Sequence, residues 1–179
     1  RRLLERGRPE DRARAASLIA ARHPAPDGLV GELARLLEDD SFAVRRAACG
    51  AAAHLLEPSL IPALIRNLAS STCGGAAAQA LAAYGQAAVG PLERALLQEA
   101  GRDTCNGGSD IHWAERACAV LSAIGGREAA AALAQALERP AARPAALRAL
   151  AAVVAGSGAD DALLPPERTR RGYDEALRR

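Results

Sequence analysis

A helix, an acidic turn and an alanine-rich helix recur along this chain, best preserved between Leu33 and Leu68 in LARLLEDDSFAVRRAACGAAAHLLEPSLIPALIRNL, and this unit limits what the chain can fold into. It occupies under about forty residues, the length at which helical repeats stack. One copy has nothing to cover its apolar face, whereas stacked copies bury a continuous core. Alanine sets the style of packing, because it is the best helix former and excludes water only where helices approach closely. Half of the 179 residues are apolar, yet Phe42, Tyr84, Trp113 and Tyr173 are the only aromatics. A β-sandwich would need Val, Ile, Thr and aromatics in alternation. The expectation is an all-α solenoid of stacked antiparallel helix pairs.

Punctuation along the chain agrees with that expectation. Residues 1–7 read as the tail of a helix, and Pro9, Glu10 and Asp11 open the next, with proline in the first turn and acids at the positive end of the dipole. It runs to His23, where Pro24 and Pro26 stop it. Asp27 is an N-cap for a helix with Leu29, Val30, Leu33, Leu36 and Leu37 at helical spacing. After the turn Glu38-Asp39-Asp40-Ser41 come Val44, Ala48, Ala51, Ala52 and Leu55; Pro58 and Pro62 then open a helix that Pro62 should kink. Gly85 and Gly125-Gly126 are C-terminal stops. Residues 101–110 form a polar, Gly-rich insertion, and Ser109 or Asp110 caps the helix that follows. The solenoid spans 1–158. Residues 159–179 are a polar extension or a short capping helix. Neither end has a polar cap, so Leu3, Leu4, Leu163 and Leu164 need cover from neighbouring domains or a second chain.

Superimposing the alanine-rich helices gives a frame whose fullest copy is Asp39, Val44, Arg45, Ala48 and Leu55. This frame resembles the HEAT repeat, most closely the short bacterial HEAT-like repeats of the phycobilisome-lyase type, over residues 9–155 in about four to five units. The resemblance implies a right-handed superhelix in which the turn acid and the helix arginine pair between adjacent repeats. Arg12, Arg45 and Arg143 take the arginine position; Gly74 and Ala114 replace it elsewhere. It also implies a concave side lined by the alanine-rich helices, on which Arg14, Arg46, Gln79, Arg116 and Arg148 would stand, with His112 at the edge. Trp113 takes the place of Val44 and is expected in the core.

A sparse row of arginines suits an acidic peptide or helix, because the planar guanidinium binds carboxylates through two parallel bonds. The expected function is a non-catalytic scaffold for protein partners, without cofactor or metal. Nucleic-acid binding, or a HEAT-like DNA glycosylase, is the alternative. Against the glycosylase stands the scatter of the aromatics, and against a HEAT-like di-iron hydroxylase the lack of a His-Glu pair at His23, His54 or His112. Net charge is only +2, too small to argue for nucleic acid by itself. Cys49, Cys73, Cys105 and Cys118 lack metal-ligand spacing, and Cys49 and Cys118 sit among alanines as small hydrophobes. No apolar run has the length of a membrane span. The expectation is a cytoplasmic module of a larger multidomain protein, and the absence of Met and Lys fits a GC-rich bacterial genome.

Overall fold

The computed structural model describes residues 7–21, 27–99 and 109–156, and these are helical with no strand among them. The expected features at 1–6, 22–26, 100–108, including Cys105, and 159–179 lie outside the described residues. The helices are α1 (Pro9–Ala20), α2 (Asp27–Leu36), α3 (Phe42–Leu55), α4 (Ile61–Asn67), α5 (Gly74–Tyr84), α6 (Gln86–Glu99), α7 (Ser109–Ile124), α8 (Gly126–Ala136) and α9 (Arg143–Gly156). A 3₁₀ turn, Pro58–Leu60, precedes α4. The chain divides into two compact units, Arg1–Tyr84 and Gly85–Arg179.

In the first unit α1 packs on α3 and α3 on α5, while α2 backs α3 and α4 backs α5. Leucines come from one side of this arrangement and alanines from the other: Leu33, Leu37, Leu64 and Leu68 are fully buried, as are Ala48 and Ala77. Each such leucine contributes about 2 kcal/mol by leaving water. The facing alanines let the backbones approach without voids. In the second unit α9 packs on α7, and α6 and α8 back them, with Leu92 and Leu133 set against Ala117 and Ala146, all four inaccessible.

Helix ends follow local chemistry. α1 starts with proline at its first turn and Glu10 and Asp11 beside the free N–H groups, without a side-chain cap. Gly85 at φ 57° and Gly125 at φ 67° take the positive φ expected of them. Leu56 does the same at φ 55° after α3, although it carries a side chain. At Pro62 the structure differs from the kinked helix expected. The first turn is 3₁₀, the α-helix begins at Ile61, and Pro62 falls where its missing N–H would have had no partner. None of the described helices is long and apolar enough to cross a membrane.

Candidate partner-binding surface

The arginines of the repeat frame are occupied by the fold. Arg12 on α1 reaches the turn ahead of α3 and grips Asp39 with both edges of its fork, Nε to Oδ2 at 2.7 Å and Nη2 to Oδ1 at 2.9 Å. The Ser41 N–H donates to Asp39 Oδ1 at 2.9 Å, so the carboxylate also closes the turn. The Arg12 guanidinium, and next to it the Ser41 amide, hold the Asp39 carboxyl below its ordinary range against the opposing effect of burial. The turn acid ahead of α3 thus pairs with an arginine of α1. Arg45 uses its guanidinium differently, donating from Nη1 to the Asp39 and Asp40 carbonyls. In the second unit Arg143 Nε donates to the Leu137 carbonyl at 3.0 Å, the same step back along the chain as from Arg45 to Asp39. Arg143 thus satisfies the carbonyl just past the end of α8, and Arg45 two carbonyls of the turn that follows α2.

The expected contact residues sort into those in solvent and those already engaged. In the first unit Arg14, Arg46 and Gln79 are exposed, and neither Arg14 nor Arg46 forms a hydrogen bond or ion pair among the described residues. Arg46 shares the outward line of α3 with Gly50 and His54, and Gln79 that of α5 with Gly75 and Ala83, all exposed. Arg14 stands on another side of its helix, the side of α1 turned away from α3. In the second unit Arg116 is half-buried, while Arg148 is exposed and donates from Nη2 to Glu115 Oε1 at 3.0 Å. His112 Nδ1 lies 3.5 Å from Glu115 Oε2. Glu115 therefore gathers His112 and Arg148, and it was absent from the sequence reading. Its place in the frame, equivalent to that of Arg46, is the signal that would have found it.

Elsewhere, no buried side-chain nitrogen or oxygen among the described residues is left without a partner. An open hollow of about 380 Å³ in the first unit is lined by Arg12, Glu32, Arg35, Leu36, Glu38, Asp39 and Asp40. Its walls pair with one another: Arg12 with Asp39, Arg35 with Glu32, while Glu38 holds Arg66. Burial pushes the Cys49 thiol up to about 12 and the Cys118 thiol to about 11, so both stay protonated and unreactive near neutrality. Cys73 is buried too, its Sγ donating to the Phe42 carbonyl at 3.4 Å. No group of three His, Cys, Asp or Glu side chains suited to a metal gathers among the described residues. Trp113 is 5% exposed, and buried Tyr84 donates its hydroxyl to the Glu57 carbonyl at 3.1 Å. These rings serve the core. No protein-family model matches the chain, and no curated protein sequence does.

Proposed function

We propose that the chain is a HEAT-like α-solenoid, a non-catalytic scaffold that binds an acidic protein segment on the outward side of its alanine-rich helices. The observation that carries this reading is Arg46: exposed, without an acidic partner among the described residues, and set beside Gly50 on a helix face of small side chains. A small-residue surface lets a partner helix or strand come close to the backbone, and a free guanidinium supplies a charge-assisted anchor for a carboxylate. Gln79 on α5 adds a donor and an acceptor on the same outward line, at the position that Gly50 holds on α3. The frame arginines take no part, because Asp39 and backbone carbonyls hold them.

The second unit offers a mixed surface instead of a basic one. Glu115 neutralises Arg148 and stands beside His112, so an acidic partner gains less there than at Arg46. Buried thiols and core-facing rings support a role without chemistry of its own. A cytoplasmic, bacterial setting and membership of a longer chain belong to the same proposal.

Fluorescence anisotropy with a labelled Glu-rich peptide tests it. Arg46→Glu should weaken binding by about tenfold or more, the scale of one charge-assisted pair, while Arg127→Glu, an exposed arginine of α8, should leave it nearly unchanged. Equal affinity for wild type and Arg46→Glu rejects the surface. The same assay on a DNA duplex identifies the competing outcome, a phosphate reader whose affinity falls steeply with log salt.

A further inference from the structure

Aligning the alanine-rich helices on Arg12, Arg45, Gly74, Ala114 and Arg143 puts Leu18, Ala51, Ala80, Val120 and Ala149 at one equivalent position. Ala51 is 2% exposed, Ala80 1%, Val120 2% and Ala149 7%. Leu18, the most apolar of them by size along with Val120, is 69% exposed. The packing of α3 explains the difference. Its Phe42 and Cys49 side meets the turn before α5, where Cys73 bonds to the Phe42 carbonyl, so its Ala51 side is the one that α1 covers. The same side of α1 carries Arg14 and Leu18 and lies open.

The opposite side is open on α9. In α7 the side of Cys118 and Ser122 is covered by α9: Cys118 is 1% exposed, and Ser122 Oγ donates to the Ala149 carbonyl at 3.3 Å. The corresponding residues of α9 are Leu147, half-buried, and Ala151, exposed, followed by Val154 at 45% exposure. Among the described residues, α1 therefore lacks a neighbour on its leading side and α9 lacks one on its trailing side.

We propose that these two sides bind each other in trans, with α9 of one copy of this chain packing on α1 of a second copy in the way α1 packs on α3. Continuity with an interface already present in the fold fixes the occupant. Leu147 and Ala151 hold the positions that Ala16 and Ala20 hold on the side of α1 facing α3, and Leu18 holds that of Ala51. Leucine replaces alanine on both sides, so the helices stand farther apart than α1 and α3, and the contact is made by aliphatic side chains. The association is head-to-tail, so it extends to rings or filaments instead of stopping at a symmetric dimer. It uses a different surface from the proposed peptide site and does not depend on it.

Sedimentation velocity of the full chain should show mass rising with concentration between about 10 μM and about 1 mM, as befits a small interface. Leu18→Glu and Val154→Glu should each weaken self-association by about tenfold or more, with helical circular dichroism retained because both side chains are exposed. Leu18→Ala, which keeps helix propensity high, should act in the same direction. Mixing Leu18→Glu with Val154→Glu should restore a dimer and nothing larger, since each variant keeps one intact side. A chain that stays monomeric throughout overturns the proposal, as does self-association that both variants retain, or a mixture that remains monomeric. A monomer in which Leu18→Glu lowers the melting temperature also overturns it, by showing that the open side of α1 is covered from within the chain.

Discussion

Leu56 holds a backbone conformation that a side chain disfavours, and the repeat frame shows why it is there. It is equivalent to Gly85 and Gly125, which end α5 and α7 at nearly the same φ. A left-handed L-residue costs roughly 1–2 kcal/mol, and Leu56, at 46% exposure, recovers part of that through burial. Leu56→Gly should therefore stabilise the protein by up to about 1 kcal/mol after allowing for the extra freedom of glycine in the unfolded chain. Calorimetry should register a rise of about 2–4 °C; a fall would mean that the Leu56 contacts outweigh the strain. The two glycines were legible as helix stops because their residue type fits positive φ, whereas leucine gives no such sign. Asp39 carries a pH signature of its own. Its folded value lies below the unfolded one, so its stabilisation is present above roughly pH 4 and is lost as the pH falls through the lowered folded value. Asp39→Asn should be less stable than wild type at neutrality, with the gap between their denaturation midpoints closing below about pH 4. A gap that stays constant with pH would show that the Arg12 pair contributes nothing.

Whole helices were easier to read than their attachments. Of the stripe Leu29, Val30, Leu33, Leu36 and Leu37, the last three are buried and the first two half-buried, because a helix turns the centre of its apolar stripe toward its neighbour. The frame also placed Val44, Ala48 and Trp113 inside, and they are. The 3₁₀ turn at Pro58–Leu60 was not legible, since the same residues suit the first turn of either helix type. Neither was the engagement of Arg148 by Glu115, a pair between helices distant in sequence. What the alanines do can be tested at this scale. Ala77 of α5 is inaccessible and Ala83 of the same helix is exposed. Ala77→Leu should destabilise by about 1–3 kcal/mol because three added carbons have no space between close-packed helices. Ala83→Leu should be nearly neutral. Urea midpoints separate the two, and similar midpoints would mean that the helices can part without loss.

Each unit of the molecule holds its own core, and nearly every helix in it packs on partners close by in sequence: α1 with α3, α3 with α5, α7 with α9. In such an arrangement stability is close to a sum of terms between neighbours, so damage at one helix is felt by those it touches. Ala48 is fully buried in α3, and Ala48→Leu crowds that helix against its partners. Native-state hydrogen exchange on the variant should show amides of α1, α3 and α5 losing protection by a factor of about 5–30, equivalent to one or two kcal/mol. Amides of α7 and α9 should exchange as in wild type. The pattern distinguishes a modular array from a single cooperative block, in which protection would fall by the same factor in every helix. It bears on the proposed scaffold as well, because a modular array can hold Arg46 in place with the first unit intact even when the second is perturbed. Ala117→Leu, the matching change in α7, should accordingly reduce protection in α7, α8 and α9 while leaving peptide affinity at Arg46 unaltered.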